Sequence, residues 1–331
     1  MTDMALPASG HPQSPGCDLP ENGKQPNASP SLSYLAHFGL SEPPFGLTPD
    51  SDFFYASPPH QEALNTLLYA LENGEGFIKI VGAVGTGKTL LCRTLLTRLP
   101  AHCHAVYLPN PALDPVGILC AVAEELGFKL SGKEPVFRVQ KAIRLRLLDL
   151  AKRNIHVVMI VDEAQAISLE SLESVRLLSN LETEKRKLLT IVLLGQPELD
   201  TQLEAIPQLK TRIGFHDRLR PLKREELAAY LAHRLARAGY RADDTPLFSS
   251  SALNLLFDAS AGVPRVANVI AHKALMLAYG KGLVHVGRRE VGQAAQDTLA
   301  AKRPVRIGRV ALAALVVFAV VMVASGFYFK A

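Results

Sequence analysis

The chain has 331 residues, enough for about two folded domains of roughly 150 residues each. Hydrophobic residues make up 48% and charged residues 20% of it, which excludes a fully disordered chain, a collagen-like chain and a small disulfide-rich scaffold. The net charge is +5, but the five basic residues after position 301 account for all of it and leave 31 basic against 31 acidic residues before them. This balance disfavours a broad basic surface for nucleic acid.

Residues 1–30 are rich in proline, serine, glycine and asparagine and contain no apolar stretch. Such a composition buries too little apolar surface to fold, so we expect a disordered N-terminal tail. The tail also lacks the apolar core of a secretory signal peptide, and the four cysteines of the chain form no CxxC pair. We therefore expect free thiols and a folded part that faces the cytoplasm.

A short apolar run at 77–81 is typical of a strand and leads into GAVGTGKT at 82–89, which a helical pattern follows. This is the G-x-x-x-x-G-K-T motif in the strand–loop–helix context that it requires. Its glycines allow backbone N–H groups to point at phosphate oxygens, and the helix N-terminus favours negative charge. We expect the Lys88 amine at the β- and γ-phosphates and the Thr89 hydroxyl on Mg²⁺. The predicted nucleotide-binding residues of this loop are Gly82, Ala83, Val84, Gly85, Thr86, Gly87, Lys88, Thr89 and Leu90.

A second apolar run, at 155–161, ends in Asp162 and Glu163. Its continuous hydrophobicity is typical of a parallel strand that is covered on both faces. Asp162 is then placed to hold Mg²⁺ through water, and Glu163 to polarise an attacking water. Two acidic residues after a strand also occur at ordinary helix starts, where they complement the helix dipole. The phosphate-binding motif upstream favours the metal and catalytic roles.

Two more apolar runs, at 105–108 and 188–194, alternate with helical patterns. The helices are predicted at 112–127, 134–153 and 168–183. This alternation predicts an α/β fold with a mainly parallel sheet, whose ligands lie at the carboxyl ends of the strands. Gln196 follows the last of these strands and would be a polar sensor beside the γ-phosphate, with simple turn chemistry as the alternative.

The C-terminal part of the chain changes character. Residues 225–240, 249–259 and 265–279 have the pattern of amphipathic helices, and a last helix is predicted from about Arg288. These patterns predict a helical subdomain after the sheet.

A transmembrane helix is predicted at 310–329, where twenty residues carry no charge. As a helix this segment would be about 30 Å long, the thickness of the hydrocarbon core of a bilayer. The basic residues at 302–309 predict the cytoplasmic side of the membrane. We expect a single pass with a periplasmic C-terminus, and a buried core helix is the alternative.

Several segments, taken together, resemble a known family. FGLSEPPFGLTPDSDFFYASPPHQEALNTLLYAL precedes GEGFIKIVGAVGTGKTLLCRTLL, and VDEAQ, LLGQPEL and GVPR follow in that order. This order resembles the AAA+ ATPases of the ExeA/GspA/MshM type, which are found with bacterial type II secretion and MSHA-type pilus systems. The resemblance runs from about residue 34 to about residue 300.

The resemblance implies a P-loop NTPase core of the AAA+ type with a C-terminal helical lid, and ATP and Mg²⁺ as its ligands. Together with the patterns above it predicts five parts. They are a disordered tail at 1–30, an AAA+ α/β nucleotide-binding core at 31–222, a helical lid at 223–301, a basic juxtamembrane linker at 302–309 and the transmembrane helix at 310–329.

The resemblance also implies roles for single residues. An arginine from a neighbouring subunit would complete each ATP site; Arg212, in LKTRIGF, matches that position, and Arg218 is the alternative. Arg265, in GVPR, matches an arginine on the lid that closes over the γ-phosphate, and His60 would pack near the adenine. An ordinary surface or helix-start residue is the alternative for each. The predicted catalytic residues are thus Glu163, Lys88, Arg212 and Gln196.

For function, the resemblance implies a membrane-anchored ATPase that binds and hydrolyses ATP with Mg²⁺ to drive assembly of a secretion or pilus complex at the bacterial inner membrane. It also implies a homo-oligomer with inner-membrane assembly proteins as partners. The alternatives are a nucleotide-switched scaffold with little turnover and a DNA-handling AAA+ ATPase. The stretch 133–153 is basic, but its apolar residues recur at helical spacing, which favours the outer face of a packed helix over a nucleic-acid surface.

Overall fold

The computed structural model describes residues 30–46, 53–128, 135–183, 186–241 and 246–302. Within them, five parallel strands form one sheet in the spatial order β2-β3-β4-β1-β5. The strands are β1 (Phe77–Gly82), β2 (Cys103–Leu108), β3 (His156–Val161), β4 (Leu189–Gly195) and β5 (Ile213–Leu219). The predicted α/β class with a parallel sheet is confirmed.

The described residues also form twelve α-helices. They are α1 (Pro30–His37), α2 (Pro58–Glu72), α3 (Lys88–Arg98), α4 (Pro115–Glu125), α5 (Val136–Lys152), α6 (Leu169–Leu178), α7 (Glu198–Glu204), α8 (Pro207–Lys210), α9 (Arg224–Arg237), α10 (Ser250–Ser260), α11 (Pro264–Gly280) and α12 (Arg288–Gln296). The helix predicted at 168–183 is too long, because Glu182 pairs with Lys187 in an antiparallel β-bridge after α6 has ended.

Two hydrophobic layers cover the sheet, because successive side chains of a strand point to opposite faces. On one face, α4, α5, α6 and α7 pack against Phe77 and Val81 of β1 and the matching side chains of β3 and β4. On the other face, α2 and α3 pack against Ile78 and Ile80 of β1. All seven residues of β4 are buried, as expected for a parallel strand that is covered on both sides.

Three neighbouring strands end at the same edge of the sheet, since β4 pairs in parallel register with both β1 and β3. The segments that follow these strands are the loop at 82–89, the acidic pair Asp162 and Glu163, and Gln196. Carboxyl ends of parallel strands are where α/β folds bind ligands. The strand order therefore brings the residues that sequence motifs identified to one edge of the sheet.

Helices α9 to α12, which lie within the predicted lid, form a hydrophobic cluster of their own. The segment ahead of α2 packs into that same cluster. Tyr34, Phe38, Phe45 and Phe53 are all buried there, and the Tyr34 ring meets His272 of α11 edge-on at 5.9 Å between centroids. The segment before the sheet and the helices after it therefore share one hydrophobic cluster.

The division predicted from sequence placed this N-terminal segment with the α/β core at 31–222. In the structure its aromatic side chains contact α11 and the helical cluster instead of the sheet. The boundaries of the division stay predictions.

Among the described residues, no helix is both long enough and apolar enough to cross a membrane. The predicted transmembrane helix at 310–329 lies outside the described residues. The same holds for the predicted tail except Pro30, and for the predicted linker except Lys302.

Candidate nucleotide-binding site

The loop at 82–89 joins β1 to α3 and bends back at two glycines in the left-handed region. Gly85 has φ +80° and Gly87, the N-cap of α3, has φ +99°. A Cβ at Gly85 would lie 2.7 Å from the Cβ of Arg265, and one at Gly87 would clash with Nε2 of His60. Only glycine fits these positions, because the loop is packed from one side by α11 and from another by α2.

The Lys88 side chain lies inside this loop and is 5% exposed. Its Nζ donates hydrogen bonds to the backbone carbonyls of Gly82 at 2.8 Å and Ala83 at 3.2 Å. Burial lowers the pKa of the Lys88 amine, while the negative charges of Glu163 and Asp162 act in the opposite direction. The amine is therefore held where a phosphate bound to the loop would meet it.

Six of the predicted loop residues line one open cleft: Val84, Gly85, Gly87, Lys88, Thr89 and Leu90. The other three hold the loop together. Gly82 and Ala83 accept the bonds from Lys88, and the Thr86 hydroxyl donates to the Ala83 carbonyl at 2.8 Å. The structure thus brings all nine predicted residues into a single turn of chain.

Asp162 is 2% exposed and follows β3. Burial raises the pKa of its carboxyl group, and a hydrogen bond with the Thr89 side chain opposes that rise. The two predicted magnesium ligands are therefore in contact. Both carry oxygen, the ligand atom that Mg²⁺ prefers, and Mg²⁺ is commonly held by one or two protein groups together with substrate phosphates. This pair fits such an ion, and no group of three or more His, Cys, Asp or Glu side chains among the described residues offers a separate metal site.

Glu163 adopts a left-handed backbone conformation, with φ 50° and ψ 39°. Its Oε2 accepts hydrogen bonds from the side-chain amides of Gln165 at 2.7 Å and Gln196 at 3.2 Å. Burial acts to raise the pKa of Glu163, but these two hydrogen bonds and the charge of Lys88 outweigh it, so the pKa lies below its usual value. Glu163 is thus an ionised carboxylate at the wall of the cleft.

Gln196 therefore contacts Glu163 directly, which the sequence did not indicate. Arg265, at the start of α11, lines the cleft, and its backbone N–H donates to the Gly85 carbonyl at 3.3 Å. The structure brings both of these predicted residues to the loop.

The two candidate arginines lie at opposite ends of the edge strand β5. Arg212 precedes β5, and its Nη1 donates to Ser179 Oγ at 3.1 Å, next to Phe77 at the start of β1. It is separated from the loop of its own chain by the length of the strand. Arg218 stands opposite Val81, near the loop, and pairs with Asp200 at 3.2 Å.

Four cleft residues escaped the sequence reasoning: Gly46, Tyr230, Arg234 and Asn268. Arg234 is 8% exposed; its Nη1 donates to the Tyr230 hydroxyl at 3.0 Å, which donates in turn to Asn268 Oδ1 at 3.0 Å. Tyr230 and Arg234 are four residues apart on α9, and in the sequence this spacing indicated only an amphipathic helix. Their place in the cleft depends on the packing of α9 against α11, which no short motif encodes.

His60 of α2 is buried against the loop, with 6% of its surface exposed. Its Nδ1 lies 2.6 Å from the Ser57 hydroxyl, while Nε2 has no hydrogen-bond partner among the described residues. Burial lowers the pKa of His60 to about 4, although the nearby backbone of Thr86 and Gly87 acts to raise it. The ring is therefore neutral at pH 7 and supports the loop; the adenine contact stays a prediction.

Comparison with known proteins agrees with this geometry. Residues 71–203, which hold the loop, the acidic pair and Gln196, match the family model described as AAA domain. This part of the chain is therefore similar to AAA domains. Over 269 residues the chain is 39% identical to the General secretion pathway protein A of Aeromonas hydrophila, an alignment that covers 80% of this chain and 48% of that protein. The predicted resemblance to AAA+ ATPases of the ExeA/GspA/MshM type is confirmed, and the chain spans about half the length of this relative.

Solved structures share the fold of this chain. The ORC2 protein of Aeropyrum pernix matches with a TM-score of 0.56 and 22% identity, over 76% of this chain and 72% of that one. Cdc6p from Pyrobaculum aerophilum matches with a TM-score of 0.58 and 22% identity, again over 76% and 72%. At this level of identity the likeness concerns the fold alone.

The low pKa of His60 makes a testable contribution to the pH dependence of stability. In the unfolded chain this histidine takes up a proton near its ordinary pKa of 6.5, whereas in the folded chain it does so only near pH 4, so folding stability is lost as pH falls through that window. We expect the free energy of unfolding to fall by about 2 kcal/mol more between pH 7 and pH 5 in the wild type than in His60→Gln. Urea denaturation followed by circular dichroism measures this, with the exposed His285→Gln as control. Equal pH slopes in the wild type and His60→Gln would contradict the buried, neutral state of His60.

A second prediction concerns the packing of Gly87. Gly87→Ala should weaken ATP binding by at least about tenfold, because the new methyl group meets His60 and the backbone must hold a positive φ. Gly127→Ala is the matched control, since Gly127 has φ +90° but open space around its Cβ position. That control should lose about 1 kcal/mol of stability and keep the ATP affinity of the wild type. Fluorescence titration with a labelled ATP measures both, and an unchanged dissociation constant for Gly87→Ala would refute the packing argument.

Proposed function

We propose that this chain is an ATPase whose hydrolysis cycle drives assembly of a secretion or pilus complex at the bacterial inner membrane. The observation that carries the proposal is a single cleft that contains the buried amine of Lys88, the ionised carboxylate of Glu163 and Arg265 of α11. These are a phosphate-binding cation, a candidate base and a cation from the helical part of the chain. The relative named General secretion pathway protein A supports the secretion context.

Binding of ATP would begin at the loop. Its backbone N–H groups and the N-terminus of α3 attract the phosphates, and Lys88 exchanges its bonds to two backbone carbonyls for bonds to phosphate oxygens. Thr89 and Asp162 would hold Mg²⁺, which neutralises phosphate charge when it is bound. Arg265 would place a second cation at the γ-phosphate.

Hydrolysis would depend on Glu163, which would accept a hydrogen bond from the attacking water and orient it toward the γ-phosphate. Gln196 would act as the sensor by way of this carboxylate, because its side-chain amide donates to Glu163 Oε2. The cluster of α9 to α12 would move relative to the sheet as nucleotide binds and leaves, since Arg265 and Tyr230 contact the cleft from that cluster.

The wider assembly belongs to the same proposal. Arg212 lies too far from the loop of its own chain to serve it, which supports a homo-oligomer in which it completes a neighbour's site. The uncharged segment at 310–329 would anchor the homo-oligomer in the inner membrane, with the ATPase part in the cytoplasm, the C-terminus in the periplasm and membrane assembly proteins as partners.

Two substitutions separate nucleotide binding from turnover. We expect Lys88→Ala to lose ATP binding, because it removes the buried cation of the loop. We expect Glu163→Gln to keep the ATP dissociation constant within about twofold and to hydrolyse at least about 100-fold more slowly, since it lacks the carboxylate that orients water. Fluorescence titration and phosphate release measure the two properties, and the exposed Lys141→Ala is the control for loss of a lysine. Hydrolysis at the wild-type rate by Glu163→Gln would contradict the proposed mechanism, and loss of function in cells for Lys88→Ala alone would favour the nucleotide-switched scaffold.

The trans role of Arg212 has its own test. The specific ATPase activity of the wild type should rise with protein concentration, and Arg212→Ala should lose about 10³-fold in rate with ATP binding intact. Mixing Arg212→Ala with Lys88→Ala should restore activity, because the second variant still carries Arg212 for its neighbour. Arg218→Ala is the matched control. An Arg212→Ala variant as active as the wild type, with constant specific activity on dilution, would exclude this arginine as the trans group.

A further inference from the structure

Gln165 is held by three hydrogen bonds beside the carboxylate that the proposed hydrolysis depends on. Its Nε2 donates to Glu163 Oε2 at 2.7 Å, and its Oε1 accepts from the backbone N–H of Gln196 at 2.9 Å. Its main-chain carbonyl accepts from Gln202 Nε2 at 2.9 Å. One residue therefore connects the segment after β3 with the end of β4 and with α7.

The orientation of the Gln165 amide follows from these partners. A backbone N–H can only donate, so the oxygen of the amide must face Gln196. The NH₂ end must then face Glu163, which as a carboxylate can only accept. Both ends of the amide are matched, and no flipped arrangement would satisfy both partners.

The local backbone explains how the side chain of Gln165 returns to Glu163. Glu163 has a positive φ, which is uncommon for a residue with a Cβ, and the 3-10 turn at Ala164–Ala166 follows at once. The space at the end of β4 is equally specific, because a Cβ at Gly195 would lie 3.3 Å from Gln165 Oε1 and 2.8 Å from Leu199. Sequence and packing thus reserve room for this amide.

The two amide bonds to Glu163 fall on the same oxygen atom. Gln165 and Gln196 both donate to Oε2, which leaves Oε1 as the oxygen that can accept from a water in the cleft. A carboxylate restrained at one oxygen keeps its other oxygen in a fixed direction, which lowers the cost of orienting a nucleophile.

We infer that Gln165 is a positioning residue for hydrolysis: by binding Glu163 Oε2 it fixes the direction in which Glu163 Oε1 meets the attacking water. The inference rests on the proposed function. Gln165 acts on turnover through Glu163 and makes no contribution to nucleotide binding. It belongs to the DEAQ segment of the sequence, where its side-chain contacts could not be read.

The test compares turnover with nucleotide affinity in the full chain. Gln165→Met keeps the length of the side chain and removes the donor, and Gln165→Glu keeps its shape and puts an oxygen where the donor was. We expect each to lower kcat for ATP by about tenfold, the effect of one hydrogen bond to a charged group, and to keep the ATP dissociation constant within about twofold. Gln208→Met, at an exposed position of α8, is the control and should match the wild type.

The outcomes are distinct. A lower kcat with unchanged affinity in either variant supports the positioning role, and the retained affinity shows that the variant is folded. A kcat equal to or above that of the wild type in both variants overturns the inference, and so does a parallel loss of kcat and affinity in both, which would mean mere support of the fold. Glu163→Gln, measured in the same assays, distinguishes failure of this inference from failure of the proposed function. If Glu163→Gln loses hydrolysis while the Gln165 variants do not, the inference fails and the proposed function stands.

Discussion

The site depends on the Lys88 ammonium group, which is buried inside the loop that it helps to form. Its bonds to the carbonyls of Gly82 and Ala83 satisfy a cation that burial would otherwise penalise, and they hold the loop in the shape that a phosphate needs. The same loop must contain glycine at 85 and 87, because the side chains of Arg265 and His60 occupy the space that a Cβ would need at these positions. Removing the amine would therefore leave a curled loop with carbonyl groups facing inward and no charge to bind phosphate.

Contact with that loop makes the helical cluster part of the site. Arg265 bonds to the loop backbone, and Tyr230 and Arg234 complete the wall of the cleft from α9. The aromatic side chains of the N-terminal segment are buried in the same cluster, so the segment that leads into α2 is fixed to the element that would move with nucleotide. His60, at the start of α2, packs in turn against Gly87 of the loop.

Sequence reasoning reached the parts of the site that lie within short motifs. The loop at 82–89 and the acidic pair at 162–163 follow from spacing alone, and the ends of parallel strands explain why Gln196 joins them. The sequence did not indicate Tyr230 or Arg234, because their place in the cleft depends on packing between segments far apart in the chain. It did not indicate the hydrogen bond from Gln165 to Glu163 either, because that bond depends on a local turn in which Glu163 has a positive φ. The packing partner of the N-terminal segment could not be predicted, because the sequence pattern shows an apolar face but not the surface that covers it.

A triphosphate would lie on the loop, and Thr89 and Asp162 would hold its metal. Isothermal titration of the full chain with ATP, in the presence and absence of Mg²⁺, tests this most directly. We expect saturable binding of one ATP per chain that Mg²⁺ tightens, and loss of the Mg²⁺ effect in Asp162→Asn with ATP still bound. No saturable binding, or a Mg²⁺ effect that persists in Asp162→Asn, would contradict it.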